Sequence, residues 1–146
     1  MDIWNILSYY GDPRILVFVI LIIFIYAYVK NKRKLLGFSK RLLIIVIIAT
    51  LCAIGLKHAF KIPRPCEGEA WCPSSYSFPS THATISFSFT IAILLYSPIM
   101  GFILLPMAML TCISRLMLNL HTLPDVFAGA LLGSSIAMLI CRDVEV

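Results

Sequence analysis

Hydrophobic residues form long runs along this chain, and polar residues interrupt them at only a few places. Five runs resemble membrane-crossing helices: Ile15–Val29, Leu42–Phe60, Thr81–Tyr96, Ile99–Leu118 and Val126–Cys141. A helix needs about 20 apolar residues to cross the bilayer core, so the first and last runs are short. A thin membrane or homo-oligomerisation would compensate for that shortness. The pattern predicts an all-α, polytopic transmembrane helical bundle of about five spans.

The composition supports a membrane protein. Hydrophobic residues make up 60% of the 146 residues and charged residues 13%, and the mean hydropathy of +0.95 is too high for a soluble globule of this size. The length suits a single integral membrane domain over residues 1–146. A signal peptide would carry basic residues before its apolar run. Here Asp2 and Asp12 precede the first run and the basic cluster follows from Lys30, which favours an uncleaved span.

The net charge of +5 is concentrated in one place. The connection between the first two runs contains Lys30, Lys32, Arg33, Lys34, Lys40 and Arg41. Such connections lie in the cytoplasm and touch anionic lipid headgroups, so nucleic acid is not an expected partner. With this connection inside, alternation of the spans brings the remaining polar segments to the extracytoplasmic face.

Three polar segments lie at the ends of the runs. They are Lys57-x6-Arg64-Pro65, Pro79-Ser80-Thr81-His82 and Ser114-Arg115-x5-His121-x3-Asp125. Ionisable clusters beside lipid are costly, so they indicate function. Arginine offers a planar fork for phosphate oxygens and lysine a mobile point charge. The alternative for these cations is snorkelling at helix ends.

The second and third segments carry the candidate chemistry. Ser80 suits the N-cap of the third run, whose free amides form an anion site beside His82; the alternative is a histidine that is satisfied at a helix end. His121 and Asp125 share a helix face if the last helix begins before Asp125. A carboxylate on one ring nitrogen leaves the other as a nucleophile. The alternative is a capping box from Thr122 to Asp125, and the two roles are compatible if each uses one oxygen.

The other candidate residues are less informative. Cys52, Cys112 and Cys141 lie within runs as small buried residues. Cys66 and Cys72 share the external loop, where a disulfide is an open question. The histidines do not have the spacing of a four-ligand zinc site. His58 adjoins Lys57 but points to another helix face, so it is left outside the candidate site.

Together the segments resemble the three-part motif of the type 2 phosphatidic acid phosphatase superfamily: K-x6-RP, PSGH and SR-x5-H-x3-D. The chain reads Lys57-HAFKIP-Arg64-Pro65, Pro79-Ser80-Thr81-His82 and Ser114-Arg115-LMLNL-His121-TLP-Asp125. One segment alone is a weak match, but all three in this order are specific. The resemblance is to the membrane lipid phosphatase branch, including polyprenyl diphosphate phosphatases.

The resemblance implies a mechanism. His121 would form a transient phosphohistidine, Asp125 would orient its ring, and His82 would protonate the leaving oxygen and later activate water. The implied phosphate-binding residues are Lys57, Arg64, Ser80, Thr81 and Arg115. Fixed cations would act in place of magnesium, so no metal or other cofactor is expected. The substrate would be a lipid phosphate at the extracytoplasmic face of the cell membrane. Polyprenyl diphosphate is the first choice, and phosphatidate or phosphatidylglycerol phosphate the alternatives.

Two departures and two rival functions accompany this resemblance. Thr81 replaces the glycine of the second motif, and a β-branched residue does not readily adopt positive φ. Family members often have six spans, whereas this chain shows five. A vanadate-dependent haloperoxidase could use the same residues, but those relatives are soluble. A non-catalytic anion-binding membrane protein or transporter would not need the pair of His121 and Asp125.

Overall fold

The computed structural model describes residues 3–142, and the regular structure in that range is entirely helical. The helices are α1 (Ile3–Ser8), a 3-10 turn (Tyr9–Gly11), α2 (Pro13–Val29), α3 (Arg33–Phe60), α4 (Thr81–Tyr96), α5 (Pro98–Met117) and α6 (Leu123–Cys141). Each predicted run corresponds to one of the helices α2 to α6. The predicted all-α bundle is confirmed.

Helix α3 begins earlier than the sequence suggested. It starts at Arg33 rather than at Leu42 and is 28 residues long. Much of the basic cluster therefore lies on its first turns, and the connection shrinks to residues 30–32, where Asn31 has a φ of 51°. Long basic side chains reach solvent from a helix surface, so their charge did not require a loop.

The number of spans depends on how two shorter helices are counted. By length and composition, α3, α5 and α6 can each cross a membrane. The N-terminal segment through Gly11 and α2 would form a fourth span, bent by 56°. Helix α4 is apolar but has only 16 residues. The count of five spans therefore stays a prediction.

Helix α4 lies at the centre and packs against α3, α5 and α6. The buried core includes Ile45 of α3, Ile85 and Phe89 of α4 and Ile136 of α6. The α4–α6 contact is unusually close, because a Cβ added at Gly129 would lie only 2.6 Å from the carbonyl oxygen of Ser80. Small residues allow helix backbones this proximity. As a result the first turns of the two helices adjoin.

Large apolar side chains cover the outside of the bundle. The exposed fraction of the whole residue exceeds one half at Phe18, Leu51, Phe102, Phe127 and Leu139. These residues lie on α2, α3, α5 and α6, so the exposed apolar surface is not confined to one helix. A surface of this kind suits contact with lipid.

The loop over residues 61–80 connects α3 to α4 and lies at the same end as the polar segments. Lys61 ends α3 with a φ of 52°. Cys66 and Cys72 are joined by a disulfide, which answers the question that the sequence left open. Further along, the N–H of Ser77 donates to the carbonyl of Ile62 at 2.8 Å. The second half of the loop is thereby held against the end of α3.

Candidate active site

The three polar segments meet at one end of the bundle. Lys57 lies in the last turn of α3, His82 in the first turn of α4 and Arg115 in the last turn of α5. His121 lies in the connection from α5 to α6, and Asp125 in the first turn of α6. Side chains that are distant in sequence thus form one polar cluster at the helix ends.

Ser80 and Thr81 form the start of α4 as an ordinary helix N-terminus. Ser80 is the N-cap with a φ of −71°, and its side chain accepts from the N–H of Ala83 at 3.5 Å. Its own N–H donates to the carbonyl of Asp125 at 3.0 Å. Among residues 3–142, the non-glycine residues with positive φ are Asn31, Lys61 and Asn119. Thr81 is not one of them, so this position does not require glycine.

A serine lies between His121 and Asp125. The ring Nδ1 is 3.7 Å from Asp125 Oδ2, which is too long for a hydrogen bond. Ser77 Oγ is 2.5 Å from Asp125 Oδ2 and 3.3 Å from His121 Nδ1. Helix α6 begins at Leu123, so His121 precedes it. The two residues therefore approach each other through the capping turn rather than along a helix face.

The capping box predicted for α6 is present. Asp125 Oδ2 accepts from the N–H of Thr122 at 2.6 Å, and the reciprocal contact from the Thr122 side chain completes the box. We expected one carboxylate oxygen to cap the helix and the other to face His121. Instead the same oxygen does both, because Ser77 and the Thr122 N–H approach it together.

Arg64 contacts the other nitrogen of the His121 ring. Its Nη1 lies 3.3 Å from His121 Nε2 and donates to the carbonyl of Leu120 at 3.0 Å. A guanidinium has only donors, so Nε2 must be the acceptor and the ring proton belongs on Nδ1. Arg64 is itself held by Ser75, through the carbonyl at 2.7 Å and the hydroxyl at 2.8 Å.

His121 is kept uncharged by its surroundings. The side chain is buried, and this burial lowers the pKa of His121 to about 4, with Arg64, Lys57 and Arg115 acting in the same direction against Asp125. The ring is therefore neutral near pH 7, with a lone pair on Nε2. A neutral imidazole among cations is suited to attack an anionic, electrophilic group.

Two further cations are buried beside the ring. Lys57 Nζ donates to the carbonyls of Tyr76 at 2.6 Å and Ser77 at 2.9 Å. Arg115 Nη1 donates to Ser8 Oγ at 2.6 Å, while its Nε is buried without a hydrogen-bond partner in the described chain. Buried polar atoms normally find partners. The unpaired donor on a cation is consistent with an anion that binds here.

The sequence pattern of the PAP2 superfamily matches residues 38–145. The chain belongs to this superfamily. Sphingosine-1-phosphate phosphatase 1 of Rattus norvegicus is 34% identical over 106 residues, which are 64% of this chain and 25% of that protein. The Mus musculus protein gives the same identity and coverage. The match thus spans about a quarter of the length of these relatives.

Two crystal structures are similar to this one. The PAP2-type phosphatidylglycerolphosphate phosphatase of Bacillus subtilis superposes with a TM-score of 0.84 at 23% identity, covering 96% of this chain and 74% of that one. LpxE of Aquifex aeolicus gives a TM-score of 0.73 at 26% identity, covering 95% and 83%. The first likeness shows the shared fold. With its apolar helices, this PAP2 chain is an integral membrane protein.

A cavity of about 340 Å³ adjoins the polar cluster of the PAP2 fold. Lys57, Thr81 and His82 line it together with Asp12 and the apolar side chain of Ile54. The charges of Arg115, Asp12 and Arg64 all act on the His82 ring. Within residues 3–142, no group of three His, Cys, Asp or Glu side chains could hold a metal ion.

The third histidine lies at the margin of the polar cluster, and three serines contact the cluster. His58 is exposed, and its ring lies edge-on to that of Tyr76 with centroids 6.0 Å apart. Ser8, Ser75 and Ser77 contact the polar cluster, yet sequence analysis singled out none of them. Ser77 stands close to the second polar segment, but serine is common in loops and carries no charge. No local pattern distinguishes these serines from the others.

Proposed function

We propose that the protein is a membrane lipid phosphatase that removes a terminal phosphate through a phosphohistidine on His121. The observation that carries this proposal is the position of His121 Nε2, a neutral nitrogen acceptor within 3.3 Å of Arg64 Nη1 and buried near Lys57 and Arg115. Phosphoryl transfer requires a positioned nucleophile and positive charge around the equatorial oxygens. Family membership and the phosphatases among its relatives support the same reaction.

The residues have distinct roles in the proposed reaction. Lys57, Arg64, Arg115, the Ser80 hydroxyl and the Thr81 N–H bind the phosphoryl oxygens. Nε2 attacks phosphorus, so an N–P bond forms while the bond to the lipid oxygen breaks, and His82 gives that oxygen a proton. Water then attacks phosphorus and passes a proton to His82. The N–P bond breaks, and phosphate is released. Asp125 remains ionised throughout and steadies the positive ring.

The fixed cations supply the charge that metal ions supply in many other phosphoryl-transfer enzymes. Arg64 now donates to Nε2 and to loop oxygens, and an entering phosphoryl group would offer stronger, charged acceptors in the same place. We therefore propose that turnover requires no divalent metal. We also propose that residues 1–146 form a single integral membrane phosphatase domain.

The site is proposed to face the extracytoplasmic side. The basic residues at the start of α3 lie at the opposite end of that helix from Lys57, and basic residues favour the cytoplasm. The Cys66–Cys72 disulfide stands in the loop beside the site, and disulfides persist in oxidising compartments. An outward site suits lipids such as a polyprenyl diphosphate left after glycan transfer. The relatives' names instead indicate phosphate monoesters, so both classes are candidates.

A phosphate-release panel tests the proposal. Purified protein in detergent is given polyprenyl diphosphate, phosphatidate, phosphatidylglycerol phosphate and sphingosine-1-phosphate, each with EDTA and with or without orthovanadate. We expect release from at least one lipid in EDTA and inhibition by vanadate. His121→Ala should lower kcat by roughly 10⁴-fold or more, since the nucleophile is lost.

His58→Ala is the histidine control, because the His58 ring is exposed and lies edge-on to Tyr76 at the rim of the cavity. It should retain most of the activity. Equal release by wild type and His121→Ala would contradict the assigned nucleophile. Binding of phosphate lipids without any release would favour the anion-binding alternative.

A further inference from the structure

Ser77 is fixed more firmly than its place in a loop suggests. Its side chain is fully buried, its N–H donates to Ile62, and its carbonyl accepts from Lys57. The backbone is thus held on both sides of the Cα atom. A buried hydroxyl in such a setting has a defined direction, which makes its two side-chain contacts informative.

The directions of those contacts follow from simple chemistry. An ionised Asp125 only accepts, so the hydroxyl proton of Ser77 points to Oδ2, at 2.5 Å. The lone pairs of Ser77 Oγ then face His121 Nδ1 at 3.3 Å. That nitrogen must carry the ring proton, which is also the result reached from Arg64 on the opposite edge. Two independent contacts thus give the same tautomer.

We propose that Ser77 is a positioning residue that connects His121 to Asp125 as a chain, Nδ1–H to Oγ and O–H to Oδ2. The chain holds the tautomer in which Nε2 is free to react, and it orients the ring toward the site. When the ring becomes positive during phosphoryl transfer, the polarised chain conveys the stabilising charge of Asp125. This role rests on the proposed function in one respect, which is the assignment of His121 Nε2 as the nucleophile.

Removal of the hydroxyl tests the chain directly. In Ser77→Ala, Nδ1 would face a carboxylate oxygen 3.7 Å away with nothing between them. We expect kcat to fall about 10²-fold from loss of orientation and tautomer, while KM changes less than about threefold because the cations remain. Ser77→Thr keeps the hydroxyl and should restore much of kcat.

Ser86→Ala is the matched control, since Ser86 is equally buried but its hydroxyl donates to Ala83 in its own helix. It should leave kcat unchanged. If Ser77→Ala has wild-type kcat, or if it changes KM as much as kcat, the positioning role is wrong. If the alanine variant does not fold, a wild-type His121 ring protonated on Nε2 would still overturn the hydrogen-bond chain.

Nitrogen NMR of the histidine rings tests the hydrogen-bond chain from His121 to Asp125 without an assay of turnover. The sequence has three histidines, so 15N-histidine labelling gives a simple spectrum that His121→Ala assigns. We expect the wild-type His121 ring to be the Nδ1–H tautomer near pH 7, and to stay neutral until the pH approaches its lowered pKa of about 4. Ser77→Ala should mix the tautomers.

The two proposals fail in different ways. A wild-type His121 ring protonated on Nε2 would overturn the chain even if the protein releases phosphate. If the His121 ring has the expected tautomer but the protein releases phosphate from no lipid, Ser77 remains supported as a positioning residue for the ring. The proposed function is then wrong. If folded Ser77→Ala keeps the wild-type tautomer of the His121 ring, Asp125 alone determines that tautomer and our proposal is wrong.

Discussion

The polar cluster is supported from two sides that are built differently. On one side, the backbone of α6 approaches that of α4 at Gly129 and Gly133, so main-chain atoms set the distance. On the other, Gly11 also lies close to the backbone of α4 at His82, but the contact with the cation Arg115 is a hydrogen bond that Arg115 donates to the Ser8 side chain. The first side fixes where His121 and Asp125 stand, and the second directs a cation. Backbone contacts tolerate less change than one hydrogen bond.

The largest expected effect comes from the α4–α6 side. A Cβ at Gly133 would collide with the carbonyl of Thr84, and neither backbone can move without displacing the start of α6. Gly133→Ala should therefore lower the free energy of unfolding by about 3 kcal/mol, the upper range for overpacking, and should abolish most turnover. Thermal melts and phosphate release in detergent measure both.

Gly55→Ala is the control for that substitution, because a Cβ at Gly55 meets nothing within 4 Å. It should be neutral or stabilising by up to about 1 kcal/mol from helix propensity alone. Equal melting temperatures for the two variants would show that the close approach of α4 and α6 is not needed, and the contrast between the two sides would disappear.

A smaller effect is expected at the N-terminal side. Ser8→Ala removes the Nη1 partner of Arg115, whose Nε is already unpaired, and a hydrogen bond to a charged group contributes about 1.5–3 kcal/mol. We expect KM for a lipid phosphate to rise about tenfold, and the melting temperature to fall by less than it does in Gly133→Ala. Asn5→Ala, on the exposed face of the same helix, should change neither. A Ser8→Ala variant with wild-type KM would mean that α5 alone directs Arg115.

This contrast also explains what the sequence could predict. Ser80 as the N-cap of α4 and the capping box from Thr122 to Asp125 were both predicted, because capping depends on residues a few positions apart. The convergence of the polar segments followed from alternation of the spans. These features are local in sequence or repeat regularly along it, so composition and spacing are enough to find them.

The supporting contacts could not be read in the same way. Ser8 is 107 positions from Arg115 and Ser77 is 48 positions from Asp125, and nothing in the local sequence marks either pair. The start of α3 was misplaced because charge was taken as a sign of a loop, although exposed lysine and arginine are good helix formers. Tertiary contacts determine the role of a small polar residue, and a single sequence does not contain them.

The most direct test of the account is to trap the phosphoryl group on the protein. Wild-type protein turning over a lipid phosphate is quenched in alkaline denaturant, which preserves phosphohistidine, and is digested with trypsin. Cleavage after Arg115 places His121 in residues 116–142 and His82 in residues 62–115. We expect one added phosphoryl group on the peptide of residues 116–142, at His121, and none on that peptide in His121→Ala. A phosphoryl group on the second peptide, or rapid turnover with neither peptide modified, would contradict His121 as the nucleophile.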